Sequence, residues 1–433
     1  MRFSTKLPSR LYIFIHLLIL SLCSLGAFFY LDGKIQDRTS FEAITQVNEI
    51  EYWLLCVLWI FLVAIVIPKK ISRPSDIFIL IYLLGAVFWN ATYWPLTGLL
   101  DYYKAIILLF ILIFPIVVIR LLQLIFDNLF NFSQSNLQLK RSHTFFTILA
   151  FFLMLSFISS YQIAGQNGSF SFDNFRRLYS RDLFENHLLI SYLFEMSVKG
   201  LAPFLAYLAG FRKSILYFIV AMFFSVYAFW LIALKMPIVI SILMFGMGFL
   251  ARVRLIENLP RILIKALFLF FIISFIEIYL NDYSVIINHG FRRMIMVISE
   301  NQAYYFDAMW QADNYSMFWS GLNHKYFVNP EFFIGFNYLH DINANVSVNA
   351  YQQQISVNGF FGYFGVVIGI AMLLLIFDYL YLIKKNEYIF AVTLLFVFLI
   401  IEQAFSVALL SSGIFLCILL AIFFSDKKIK NEI

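Results

Sequence analysis

The chain is organised by long apolar stretches separated by short polar breaks. A helix needs about 20 mostly apolar residues to cross the hydrocarbon core of a bilayer. By that ruler, apolar runs fall near 11–31, 52–67, 76–94, 105–126, 143–163 and 188–210. Six more follow near 214–233, 236–251, 262–280, 359–383, 388–403 and 406–424, the last two divided at Glu402 and Gln403. The pattern predicts an all-α polytopic membrane protein of about twelve transmembrane helices in one integral membrane domain, residues 1–433. Two segments stand outside the runs: a smaller loop over 165–187 and a large one over 281–358, rich in Asn, Tyr and Gly. The aromatics of the large loop (Tyr304, Tyr305, Phe306, Trp310, Tyr315, Phe318 and Trp319) predict short helices packed on the membrane surface.

Composition agrees: 62% of the 433 residues are hydrophobic and 13% charged, against about 25% charged in soluble domains. The net charge of +6 bears on orientation rather than on nucleic acid, because Lys and Arg collect in cytoplasmic loops. With the N-terminus inside, 20 of the 31 basic residues fall in cytoplasmic segments and 11 outside. Both termini are then cytoplasmic, and both larger loops lie on the opposite, outer side of the membrane. The first run, Leu11 to Leu31, has no small-residue cleavage site and reads as a retained span. Cys23, Cys56 and Cys417 all lie in apolar runs and form neither a disulfide framework nor a metal site.

Basic residues on the disfavoured side are the first candidates for chemistry. Asn174 to Arg181 carries Arg176, Arg177 and Arg181, and Arg292 and Arg293 follow the ninth run. Guanidinium groups match phosphate oxygens bidentately and keep their charge, so these clusters suit a membrane-borne phosphate or diphosphate. Lipid headgroups, or ion pairs with Asp173, Asp182 and Glu185, would explain them equally. Lys235, in the short turn Ala233-Leu234-Lys235-Met236-Pro237, either reaches the same outer cavity or snorkels.

Inside the sixth run, Glu195 and Lys199 stand four apart, a pair that is either functional or self-neutralising. Glu277, Asp378 and Glu402 lie near helix ends and read as interfacial. The acid/base candidates of the large loop are His289, His324, His340, Asp307, Asp313, Glu331 and Asp341; no two have metal-ligand spacing. No paired-acid motif for a nucleotide sugar and no phosphate-cradling glycine loop is present, which argues against a soluble nucleotide donor. The run from Asp341 to Ala350 offers the amides of Asn343, Asn345 and Asn349 to sugar hydroxyls, or simply caps the next helix. Gly359, Gly362 and Gly365 would let that helix approach a neighbour closely.

The order of these fragments resembles a family. A basic outer segment is followed by a Lys-Xaa-Pro turn at Lys235, by Arg292-Arg293 and by Tyr304-Tyr305-Phe306-Asp307. Then Asn343-Ala344-Asn345 and Asn349-Ala350 lead into Gly359, Gly362 and Gly365. This resembles the Wzy-type O-antigen polymerases, over the central and C-terminal half by motif and the whole chain by topology. The resemblance implies a GT-C-like membrane glycosyltransferase needing neither metal nor cofactor. Such an enzyme joins undecaprenyl-diphosphate-linked oligosaccharide units on the periplasmic face and releases undecaprenyl diphosphate. Its partners are that lipid-linked oligosaccharide, membrane lipids and a chain-length regulator, with no nucleic acid. In that setting Arg176, Arg177, Arg181, Arg292, Arg293 and Lys235 would hold the diphosphate, with Tyr304, Asn343, Asn345 and Asn349 on the substrate. Asp307, His324 and Asp341 are the candidates for a base. Two alternatives stay open: an O-antigen ligase, for which His324 or His340 would serve, and a lipid-linked oligosaccharide flippase or other transporter.

Overall fold

The computed structural model describes residues 9–35, 50–129, 143–170, 179, 182–184, 186–311, 317–322, 329–340, 346–384 and 386–423. Among these residues the protein is all-helical, without a strand. Eight helices among the described residues are long and apolar enough to cross a membrane, so the chain is a multi-pass α-helical membrane protein. Shorter apolar helices cover three further runs, Ile50–Val66, Met236–Arg252 and Tyr388–Ile400.

In chain order the helices are α1 (Ser9–Ile35), α2 (Ile50–Val66), α3 (Pro74–Tyr82), α4 (Asn90–Thr97), α5 (Tyr102–Leu129) and α6 (His143–Ala164). Next come α7 (Leu188–Glu195), α8 (Ala202–Arg212), α9 (Ile215–Ile232), α10 (Met236–Arg252), α11 (Leu259–Asn281) and α12 (Val297–Gln311). The last five are α13 (Met317–Ser320), α14 (Pro330–Leu339), α15 (Ala350–Lys384), α16 (Tyr388–Ile400) and α17 (Ile414–Phe423). Wide π turns interrupt four places: Leu83–Val87 between α3 and α4, Met196–Leu201 between α7 and α8, Ile286–Met296 before α12, and Val407–Ser411 before α17.

Polar contacts define two ends of the bundle. At one, rich in basic residues, Arg10 donates to the Ala64 and Ile67 carbonyls, Ile71 N–H to the Glu257 carbonyl, and Arg212 to the Tyr388 hydroxyl. Asp378, near the end of its helix, is buried among other helices. It accepts from Ser75 N–H at 2.9 Å, Ser75 Oγ at 2.5 Å and Gln123 Nε2 at 3.2 Å, and so caps the start of α3 from a helix 303 residues away in sequence. Asp76, at the third position of α3, turns back to Ser72 and Arg73 N–H and accepts from Arg120 at 2.8 Å. A carboxylate is favoured there because the first N–H groups of a helix have no intrahelical partner.

The bundle is tied tightly where small residues allow it. A Cβ at Gly210 would lie 2.1 Å from the Phe245 carbonyl oxygen, and one at Gly248 2.1 Å from that of Tyr207. α8 and α10 therefore cross backbone to backbone, the close approach typical of helices packed in membranes.

At the opposite end the expected large loop is largely folded helix. α15 begins at Ala350 rather than near 359, with its kink at Gly359 (φ 63°). Of the three glycines there, Gly359 is the one whose backbone needs a glycine, while a Cβ at Gly365 would meet open space. α12 is packed within the protein rather than laid on its outside. Tyr304, Tyr305 and Phe306 are buried in the main core, because the helix is roofed on one side by α15 and floored by α4. The alternation of polar and aromatic residues had disguised a core element.

Candidate functional site

The site is carried by one continuous segment, the π turn Ile286–Met296 and α12. After α11 the chain reverses at Asp282, whose φ is 52°. Glu277 accepts from Ser284 Oγ at 2.6 Å and from Ile286 N–H at 3.3 Å, and Tyr30 OH accepts from Ser284 N–H at 3.0 Å. Phe291 then plugs into an aromatic socket of Phe28, Trp89 and Phe271. That anchor leaves the next two residues at the edge of the fold: Arg292 is half-buried and Arg293 exposed, with His289 exposed on the preceding turn.

α12 is fixed by a buried network of neutral amides. Asn90 Nδ2 donates to Gln302 Oε1 at 2.6 Å, and Gln302 Nε2 to the Ala86 carbonyl at 2.9 Å. Gln352 Nε2 donates to the Gln302 carbonyl at 2.9 Å, and Asn349 Nδ2 to Gln352 Oε1 at 2.7 Å. All four side chains are essentially inaccessible. Trp94 Nε1 donates to the Ser299 carbonyl and Tyr93 OH to Glu300. The Ala86 carbonyl lies in the π turn after α3, where the widened helix leaves backbone oxygens to such partners. Asn90, Gln302 and Gln352 were not among the sequence candidates; an Asn inside the third apolar run was the signal available.

Beyond this lock lies a charged cluster. Asp307 Oδ1 accepts from Lys104 Nζ at 3.0 Å, and Oδ2 from Gln311 Nε2 at 2.5 Å and Tyr338 OH at 3.1 Å. Asp101 is 3.6 Å from the same ammonium, and Trp310 sits 6.0 Å below it. Burial, and then Asp307 beside it, push the Tyr338 phenol well up, so it remains a protonated donor. Burial likewise raises Tyr305, which donates to the Val346 carbonyl at 2.7 Å.

The sequence candidates thus divide. Arg292, Arg293, Tyr304 and Asp307 share one helical segment. Tyr304 is buried and faces the Tyr338 ring at 5.1 Å, so it supports the cluster from beneath. Asn349 is spent as the N-cap of α15, accepting from Tyr351 and Gln352 N–H. Glu331 accepts from Gln353 Nε2 at 2.7 Å, and its carbonyl from Val346 N–H. Lys235 is exposed at the α9–α10 turn, close in sequence to Trp230, whose carbonyl receives Ser169 N–H. Arg176, Arg177, Arg181, His324, Asp341, Asn343 and Asn345 lie outside the described residues.

Two permanent cations at the rim of an immobilised segment can hold a phosphorylated group, with a carboxylate some fourteen positions further on the same segment. Asp307 already accepts three hydrogen bonds, which leaves about one of the roughly four acceptor positions of a carboxylate for a substrate. No protein family, curated protein or solved structure matches this chain.

Proposed function

We propose that this chain is a polymerase of lipid-linked oligosaccharide repeat units, of the Wzy-type and GT-C-like class, in a bacterial inner membrane. In this reading the apolar runs make twelve passes through the hydrocarbon core, the last two as a hairpin, both termini are cytoplasmic, and α12, α13 and α14 lie at the periplasmic end. The observation that carries it is the placement of Arg292 and Arg293 directly after the Phe291 anchor, on a segment held by buried amides. Charge counting puts that segment on the side where basic residues are disfavoured, which makes Arg292 and Arg293 the candidates for contact with an anionic ligand.

The reaction needs that charge. A hydroxyl of one unit attacks the anomeric carbon of the other; a carbon–oxygen bond forms while the bond to the diphosphate oxygen breaks. The leaving diphosphate gathers negative charge, which Arg292 and Arg293 would stabilise electrostatically. The hydroxyl proton passes to a base, for which Asp307, His324 and Asp341 are the candidates.

Deleting the gene should leave surface polysaccharide with a single repeat unit, read as the loss of the ladder on a gel. Arg292→Ala and Arg293→Ala should each cost about 10²–10³-fold in polymerisation, the scale of losing one stabilising donor, with membrane insertion intact. Full activity in both would end this reading. One feature favours a transporter instead: helices interrupted at membrane depth beside charged residues. Deletion would then remove polysaccharide from the surface altogether.

A further inference from the structure

Two crossings break at the same level. The first is the π turn Met196–Leu201 between α7 and α8; the second is the tip of the last hairpin, from Ile401 through the π turn Val407–Ser411 to Gly413, whose φ is 80°. Their register is set at the basic end, where the Tyr207 hydroxyl donates to the Glu387 carbonyl and Arg212 to Tyr388. The return leg ends there too, since Asn386 Nδ2 donates to the Ala421 carbonyl at 2.6 Å. α16 has 13 residues, so it rises about 20 Å at ~1.5 Å per residue, short of a hydrocarbon core of about 30 Å. With α16 starting at the basic-end surface of that core, Glu402 and Gln403 would come roughly 10 Å short of its loop-end surface. Lys199, 13 positions from Arg212, comes to the same height and interacts electrostatically with Glu402.

The breaks touch through their backbones. A Cβ at Gly200 would fall 2.5 Å from the Ser412 carbonyl oxygen, and Gln403 Nε2 donates to Ser412 Oγ at 3.0 Å. Glu195 and Lys199 form an ion pair across the π turn, and the buried hydroxyl of Ser197 between them has no partner. The charged groups are not sealed in. The Glu195 and Lys199 side chains are 28% and 23% accessible, and Glu402 and Ser406 are exposed. Charges and broken helix at this depth are stable only where they line water or protein, not lipid. An opening must therefore reach them. Its rim carries exposed Leu189, Tyr192, Val407 and Leu410.

We infer that the notch between the two helix breaks is a hydrated crevice, open sideways to the membrane, that takes the uncharged, hydroxyl-bearing headgroup of an amphiphile. Two carboxyl groups against one ammonium leave no surplus positive charge to hold a phosphate and offer acceptors to hydroxyl groups. The apolar rim suits the lipid end of the same molecule. This places a saccharide in the notch, apart from the diphosphate side at Arg292 and Arg293. The identity of that saccharide as part of a polymerisation substrate rests on the proposed function; the crevice does not.

The test uses the full chain in lipid nanodiscs, with Cys23, Cys56 and Cys417 replaced by Ala. Glu402→Cys and, separately, Ser406→Cys are exposed to a membrane-impermeant cationic thiol reagent. Both should label at a rate comparable to Lys235→Cys at the loop-end turn, and far faster than Phe223→Cys on the exposed face of α9. Octyl glucoside below its micellar concentration should slow labelling several-fold, and octyl phosphate should not. Labelling as slow as at Phe223→Cys for both positions would overturn the crevice. Protection by octyl phosphate alone, or by neither amphiphile, would overturn the headgroup class. Because labelling is read without polymerisation, a failed polymerase reading would leave these outcomes interpretable.

Discussion

Two polar clusters of this protein differ in one respect that decides what each can do. At the basic end, Asp378, Ser75, Gln123 and Asp76 are buried and saturated with partners. Away from that end, Glu195, Lys199 and Glu402 keep accessible surface beside two breaks in apolar helices. Saturated burial is the signature of architecture, because an unpaired buried charge is strongly destabilising and a paired one has nothing left to offer a ligand. Partial exposure at depth is unfavourable unless something enters. Asp307 stands between the two, three-quarters committed to Lys104, Gln311 and Tyr338 yet near the surface.

The contrast can be broken most sharply at Asp378. Asp378→Ala removes the acceptor for both Ser75 donors and for Gln123, and should cost about 3–5 kcal/mol, the scale for breaking a buried charged network. A purified protein that melts in detergent at the wild-type temperature would show this carboxylate to be dispensable. Gln302→Leu should follow with a loss of about 2–3 kcal/mol, since it leaves one buried N–H of the Asn90 amide without its acceptor, worth about 1–3 kcal/mol, and removes a donor from the Ala86 carbonyl. Gly200→Ala forces a methyl group against the Ser412 carbonyl and should destabilise by about 1–3 kcal/mol; an unchanged melting temperature would mean the two helix breaks do not touch. Smaller still, a double-mutant cycle between Lys104→Met and Asp307→Asn should return a coupling of about 0.5–3 kcal/mol, as contacting charged residues do. The weakest effect belongs to Arg73 and Asp127, paired at 2.9 Å but 24% and 40% exposed. Arg73→Met should cost at most about 1 kcal/mol, and less still at high salt.

Much of this was legible in the residues, and the misses have causes. Apolar run length showed the long helices and the short ones alike, because lipid admits hardly any other backbone arrangement. The pair Glu195 and Lys199 announced itself by charge inside an apolar run. The aromatics from Tyr304 to Trp310 suggest a surface helix, yet α12 is a core element, because its polar groups are satisfied by partners more than 200 positions earlier, at Asn90, Tyr93 and Trp94. Asn349 looked like a sugar contact and is a helix cap, a distinction that rests on which N–H groups follow it. Nothing in the sequence singles out Lys104; its pairing with Asp307 spans 203 positions and has no local trace.

By itself, then, the sequence determined that this is a multi-pass helical membrane protein, and it marked the arginines and intramembrane charges that lack a solvent. That information is local: hydrophobicity and charge act residue by residue against the bilayer. Only the tertiary structure decided which polar groups are spent and which remain available. Partner atoms come from distant helices, and whether a carboxylate is a cap, a clamp or a binding group depends on how many donors the fold has already brought to it.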